Sequence, residues 1–269
     1  MPGERQKAIL VIAGFDPSGG AGVLADVKTI GAFGCYGAVA ITSLTLQNTQ
    51  GVFGAYNQPA EAVLGQLHPL FDDFDFSAIK TGMLPSLEVI RAVSETVSSK
   101  SIPHVVVDPV VRSTSGFDLI DDDALRELVR SLFPLASVVT PNAAEVERIT
   151  GIRIIDRATM EEAGRSILGL GPRAVLVKGG DMLSEAATDL LVDSDGATQF
   201  DSERVSSRNT HGTGCSLASA LACLLARGKT LREAVPVAKR YIVEAIRTAP
   251  GLGKGHGPLN HFPGGFEAG

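Results

Sequence analysis

The chain has 269 residues, 44% apolar and 20% charged, with a net charge of −6 from 24 basic and 30 acidic side chains. That composition buries a large core and excludes disorder; with no run of Lys or Arg longer than two, it lacks the footprint of a nucleic-acid or anionic-membrane binder. Three cysteines, Cys35, Cys215 and Cys223, without CxxC or His spacing argue against a disulfide framework or a zinc site.

The first apolar run, Ala8–Ala13, has strand length and is too short to span a membrane. Arg5 and Lys7 ahead of it resemble a signal n-region, but no small-residue cleavage site follows, so the cytoplasm is expected. Gly14-Phe15-Asp16-Pro17-Ser18-Gly19-Gly20-Ala21-Gly22 then opens a helix over Val23–Phe33, beyond a strand's carboxyl end, where α/β sheets bind ligands. Gly20 to Ala25 fits GxGxxA, yet residues 38–50 hold no Asp or Glu for a ribose, which argues against an NAD-dependent oxidoreductase. The glycines either let a small ligand approach the backbone or serve a turn with positive φ.

Further strands are predicted at Ala38–Leu46, Ser77–Lys80, Val105–Val107, Ser137–Val139 and Ala174–Val177, with helices at Ala60–Phe71, Leu87–Val97, Ala124–Phe133 and Thr159–Leu168. This alternation predicts an α/β fold with a parallel sheet covered on both faces. Pro59 with Glu61, Pro85 with Glu88, and Asp121 to Asp123 supply helix starts. Thr188–Val192 and Thr198–Phe200 around Asp195-Gly196 read as a hairpin that adds an antiparallel edge. Two helices, 212–226 and 231–247, close the chain before an irregular tail, Gly251–Gly269. Without a linker, repeat or composition break, residues 1–269 read as one domain.

Polar residues collect at the strand ends. Asn209-Thr210-His211-Gly212-Thr213-Gly214-Cys215 leads into a small-residue helix, an arrangement in which consecutive N–H groups and the helix dipole converge on an anion. Cys215 in the first turn would have its thiol pKa depressed, making it a candidate base, whereas Cys223 among Ala and Leu reads as filler. Asn142 and Glu145 lie one helical turn apart, either to hold Mg²⁺ through its waters or to form a capping box. With Asp108 after one strand and Lys178-Gly179-Gly180 after another, the set points to phosphoryl transfer, which needs positioning and charge neutralisation.

Ala13-Gly14, Asp16 to Gly22, Ala25-Asp26-Val-Lys-Thr29, Gln47-Asn-Thr-Gln-Gly51, Lys80-Thr-Gly-Met-Leu84, Asp108-Pro-Val110, Ser115-Gly116, Thr140-Pro-Asn142 with Glu145, Val177-Lys-Gly-Gly180, Arg208 to Cys215 and Gly255-His-Gly-Pro258 occur in that order. With them the chain resembles the hydroxymethylpyrimidine and phosphomethylpyrimidine kinases of thiamine biosynthesis, in the ribokinase-like superfamily. The resemblance implies a three-layer α/β/α fold, a homodimer, and MgATP-dependent phosphorylation of 4-amino-5-hydroxymethyl-2-methylpyrimidine and then of its monophosphate. It implies that Gly14, Asp26, Gln47, Met83 and Val110 line the pyrimidine pocket, Gln47 both donating and accepting at the ring. Asn142, Glu145 and Asp108 would serve Mg²⁺, Lys178 the phosphate charge, and Gly212, Thr213 and Gly214 the anion hole. Cys215 would be the base, with Thr210 and Lys239 at the ATP. Phe15, Leu24 and Arg112-Ser113-Thr114 depart from the family's usual Ser, Gln and small or Lys-containing residues. A pyridoxal kinase and a non-catalytic pyrimidine- or nucleotide-binding protein on the same scaffold are the alternatives; Gln47 argues against the first, and Cys215, Asn142, Glu145 and Lys178 together against the second.

Overall fold

The computed structural model describes residues 6–111, 119–180 and 186–266; Arg112-Ser113-Thr114 and Ser115-Gly116 lie outside them. A nine-stranded sheet runs through the molecule in the order β3-β2-β1-β4-β5-β6-β7-β8-β9. Six central strands are mutually parallel: β1 (Ala8–Phe15), β2 (Tyr36–Asn48), β4 (Phe76–Thr81), β5 (His104–Val107), β6 (Val138–Val139) and β7 (Ala174–Lys178). The expected hairpin is β8 (Ala186–Asp193) and β9 (Gly196–Glu203), antiparallel at one edge.

The opposite edge holds β3 (Gly51–Asn57), antiparallel to β2, which the sequence reading misses. Its Gly-Val-Phe-Gly-Ala-Tyr-Asn sequence has no buried residue, so no apolar run or clean alternation betrays a strand. Leu44, Leu46, Phe53 and Tyr56 are exposed on this β2–β3 ribbon.

Successive side chains of a strand point to opposite faces. Accordingly Leu10 and Ile12 of β1 enter one core while Ile9, Val11 and Ala13 enter the other. The first core packs under α2 (Ala60–Asp73), α3 (Leu87–Ser98), α4 (Asp122–Glu127) and α6 (Arg157–Leu168). The second packs under α1 (Gly22–Ala32), α7 (Thr213–Ala226) and α8 (Leu231–Arg247). This is the three-layer arrangement with mostly parallel strands that the sequence predicts. The predicted helix 124–133 is instead α4, a π turn over Leu128–Leu132 and a 3-10 turn over Phe133–Leu135; Pro134 lacks the N–H to continue it. A short α5 (Ala143–Thr150) follows β6.

The tail beyond α8 is irregular but anchored. His211 N–H donates to Gly257 O, and the N–H groups of Lys254 and Gly255 donate to Thr49 Oγ1, while Leu259 is buried in the second core. Among the described residues no helix is long and apolar enough to cross a membrane.

Candidate active site

A cavity of about 1230 Å³ runs along the carboxyl ends of the parallel strands. Gly14, Gln47, Met83, Asp108, Val110, Asn142, Glu145, Lys178, Thr210, Gly212, Thr213, Gly214, Cys215 and Lys239 all line it. Residues separated by more than two hundred positions, Gly14 and Lys239 among them, meet here because every parallel strand delivers its next residue to the same edge of the sheet.

On the cavity wall, Lys178 donates to Asp108 Oδ1 at 3.1 Å and Thr140 Oγ1 to the same oxygen at 3.2 Å. Burial disfavours the Lys178 cation, but Asp108 and Glu145 outweigh it and hold its pKa above the ordinary lysine range. Opposite them Gly212, the residue that caps the start of α7, has φ +87°, and a Cβ there would lie 1.9 Å from Gly20 O. A Cβ on Gly214 would lie 3.2 Å from Lys178 Nζ, so the absent side chain brings the helix terminus onto the ion pair. The Thr213 hydroxyl and N–H both donate to Thr210 O. Thr213 therefore differs from the expectation of a free anion-hole donor; among the described residues no backbone acceptor takes the N–H of Gly214 or Cys215.

Asn142 and Glu145 form a capping box on α5: Glu145 N–H donates to Asn142 Oδ1 and Asn142 N–H to Glu145 Oε2. The capping alternative is thus realised, yet both residues keep the cavity as a boundary. Burial pushes the Glu145 carboxyl up to about 7, with Lys178 opposing and Asp108 adding to the shift.

Two expectations need correction. Asp26 does not line the cavity: it is buried beneath it, where Lys80 donates to both carboxylate oxygens at 2.9 and 2.8 Å and Ser219 to Oδ1 at 2.8 Å. Lys80, rather than Asp26, borders the cavity. The Cys215 thiol is not depressed: burial pushes it up to about 11, Lys80 lowering it and Asp26 and Asp108 raising it. Desolvation of the thiolate outweighs the helix terminus that the sequence suggests would stabilise it.

Lys239 stands on the cavity wall but is already engaged. Its ammonium donates to Asp189 Oδ2 at 2.5 Å and to Ala187 O at 3.0 Å, while Gly179 N–H donates to Asp189 Oδ1 at 3.1 Å. The pair braces Gly179, the residue that follows Lys178 at the end of β7.

Sequence reasoning gives no role to Lys80, Asp16 or His211. A lysine inside the apolar Phe76–Thr81 strand was the available signal for Lys80, since a cation buried there requires a counter-charge. His211 Nε2 lies 2.8 Å from Asp16 Oδ2 and 3.1 Å from Gln47 Nε2. No group of three or more potential metal-ligating side chains exists among the described residues.

The profile of the phosphomethylpyrimidine kinase family matches residues 16–260. The thiamine biosynthesis bifunctional protein of Geobacter sulfurreducens is 48% identical over 255 residues, covering 95% of this chain, which spans about half (52%) of that protein. The hydroxymethylpyrimidine/phosphomethylpyrimidine kinase of Streptomyces coelicolor is 43% identical over 260 residues, covering 97% of this chain and 96% of that one. In structure, the ADP complex of Bacillus subtilis pyridoxal kinase superposes with a TM-score of 0.88 at 32% identity, covering 96% of this chain and 98% of that one.

Proposed function

The chain belongs to the phosphomethylpyrimidine kinase family, and on that premise we propose that it uses ATP to phosphorylate 4-amino-5-hydroxymethyl-2-methylpyrimidine and then its monophosphate, giving the diphosphate for thiamine biosynthesis. The carrying observation is a single cavity lined both by Gln47, Met83 and Val110 and by Lys178, Asp108 and the α7 terminus. An apolar wall with a few convergent polar groups suits a small heteroaromatic ring, and the charged end suits a phosphoryl group in transfer.

We assign Gly14, Gln47, Met83 and Val110 to the pyrimidine, and the N–H groups of Gly214 and Cys215 with the Lys178 ammonium to the migrating phosphoryl group. Thr210 and the wall near Lys239 face the nucleotide, Lys239 acting through Asp189. The donor set fits Mg²⁺ held largely through water and phosphate: Asp108 and Glu145 are buried carboxylates at the cavity, and burial leaves Glu145 favouring a cationic neighbour. When bound, the ion would neutralise phosphate charge. With its thiol pushed up to about 11, Cys215 is almost wholly protonated at neutral pH, so alignment and charge stabilisation supply most of the acceleration, and the small thiolate fraction sustained by Lys80 takes the hydroxyl proton.

The exposed Leu44, Leu46, Phe53 and Tyr56 ribbon supports a homodimer with this face covered. Three free cysteines suit a reducing compartment, the cytoplasm. A coupled ADP-release assay with the pyrimidine, its monophosphate and pyridoxal tests the reading. Turnover of both pyrimidines is expected; turnover of pyridoxal alone would reassign the enzyme to the B6 vitamers, and no turnover at all would make it a binding protein.

A further inference from the structure

The nitrogen His211 Nε2 lies within hydrogen-bond distance of two groups, Asp16 Oδ2 at 2.8 Å and the Gln47 carboxamide at 3.1 Å, whose nearer end is placed as Nε2 and whose two ends exchange by a half turn. A single nitrogen either carries a proton and donates or lacks one and accepts, so these contacts cannot both be arbitrary in polarity. Asp16 decides between them. Its carboxylate also accepts from Ser18 N–H, Ser18 Oγ–H and Ala21 N–H at 2.8, 2.9 and 2.9 Å. A carboxyl group surrounded by that many donors is held as the anion and has no proton to offer. The proton therefore sits on His211 Nε2, in the neutral tautomer or the imidazolium alike.

The two ends of a carboxamide differ by a half turn about its last torsion, and the hydrogen-bond network fixes which is which. Facing an N–H donor, Gln47 must present its oxygen. We propose that His211, oriented by Asp16, is a positioning residue that turns Gln47 Oε1 toward the imidazole and leaves the Gln47 NH2 as the ligand-facing end. The outward end has no protein hydrogen-bond partner among the described residues, and Gln47 lines the cavity. Gln47 then offers donors to the ring and selects a heteroaromatic nitrogen with a free lone pair. The main chain that carries the imidazole is held as well, the backbone N–H of His211 donating to Gly257 O. The ligand half of this inference rests on the pyrimidine kinase reading; the orientation half does not.

Two measurements on the full chain test it. In 15N-histidine NMR of the free protein at neutral pH, the His211 resonance, assigned by its loss in His211→Gln, is expected to show a protonated Nε2. A bare Nε2 with the proton on Nδ1 overturns the inference whatever the enzyme's substrate. In calorimetric titrations with the hydroxymethylpyrimidine, Gln47→Glu is expected to keep the acceptor toward His211 while replacing the ligand-facing donor by a carboxylate oxygen. Binding should weaken about 10- to 100-fold. Wild-type-like affinity in Gln47→Glu, with the wild type binding normally, would mean that the ring meets the carboxamide oxygen and would refute the orientation. Failure of the wild type to bind any pyrimidine, with Nε2 protonated, would sink the functional reading and leave the orientation standing.

Discussion

Iodoacetamide labelling of Cys215 should be slow at neutral pH and climb without a plateau to about pH 9.5. With its thiol pushed up to about 11, Cys215 holds roughly 300-fold less thiolate at low pH than a free thiol of pKa about 8.5. At pH 7.5 about one molecule in 3000 is then ionised, against roughly one in ten for free cysteine. Cys35 and Cys223 are buried while Cys215 borders the cavity, so peptide mass spectrometry can follow its alkylation separately. The perturbing variant is Asp26→Asn. It removes a negative charge that raises the thiol and leaves the Lys80 cation, which lowers it, without its carboxylate partner. Labelling of Asp26→Asn at pH 7.5 should accelerate several-fold, provided circular dichroism shows the variant folded at the assay temperature. A plateau between pH 7 and 9 in the wild type, the profile of a thiolate stabilised by the helix terminus, would refute the dominance of burial.

Lys178→Met removes the ammonium beside Asp108 and the open N–H groups of α7, and kcat in the ADP-release assay should fall by roughly 10² to 10³; a change confined to KM would exclude transition-state charge stabilisation by Lys178. Asp26→Ala or Lys80→Met leaves one fully buried charge unpaired, costing about 3–5 kcal/mol in urea unfolding. The double change Asp26→Leu/Lys80→Met should recover most of that loss, and additive losses would argue against coupling. Glu145 is pushed up to about 7 in the folded protein, above its unfolded value. Between the two values the folded state keeps a proton that the unfolded chain has lost, so its contribution is full below about pH 4 and disappears as pH rises through 7. In chelator, wild-type stability should therefore fall by up to about 3 kcal/mol more than that of Glu145→Gln between pH 4.5 and 8; parallel profiles would show an ionised carboxylate in the folded protein.

Sequence alone settled whatever depends on neighbours a few residues apart. The β-branched runs and 3.6-residue spacing located six parallel strands, the 188–200 hairpin and most helices, because strand and helix hydrogen bonding is paired with a local pattern of burial. The ordered motifs identified the family and therefore the chemistry. The spacing of Asn142 and Glu145 could not choose between a metal pair and a capping box, and the structure realises the latter. Gly-rich segments could be located but not explained: only the fold brings Gly20 O against Gly212, two turns almost two hundred residues apart.

The tertiary structure decided what depends on burial and on distant partners. It placed Lys80 on Asp26, 54 residues away, and so took Asp26 out of the cavity. It joined His211 to Asp16 across 195 residues, which set the polarity of the contact to Gln47. It reversed the expectation for Cys215, since a helix terminus is legible in the sequence but the desolvation that opposes it is not. Periodicity encodes which face of an element is apolar, whereas the ionisation of a buried group depends on everything packed around it, and that is assembled only when the parallel strands deliver their ends to one edge of the sheet.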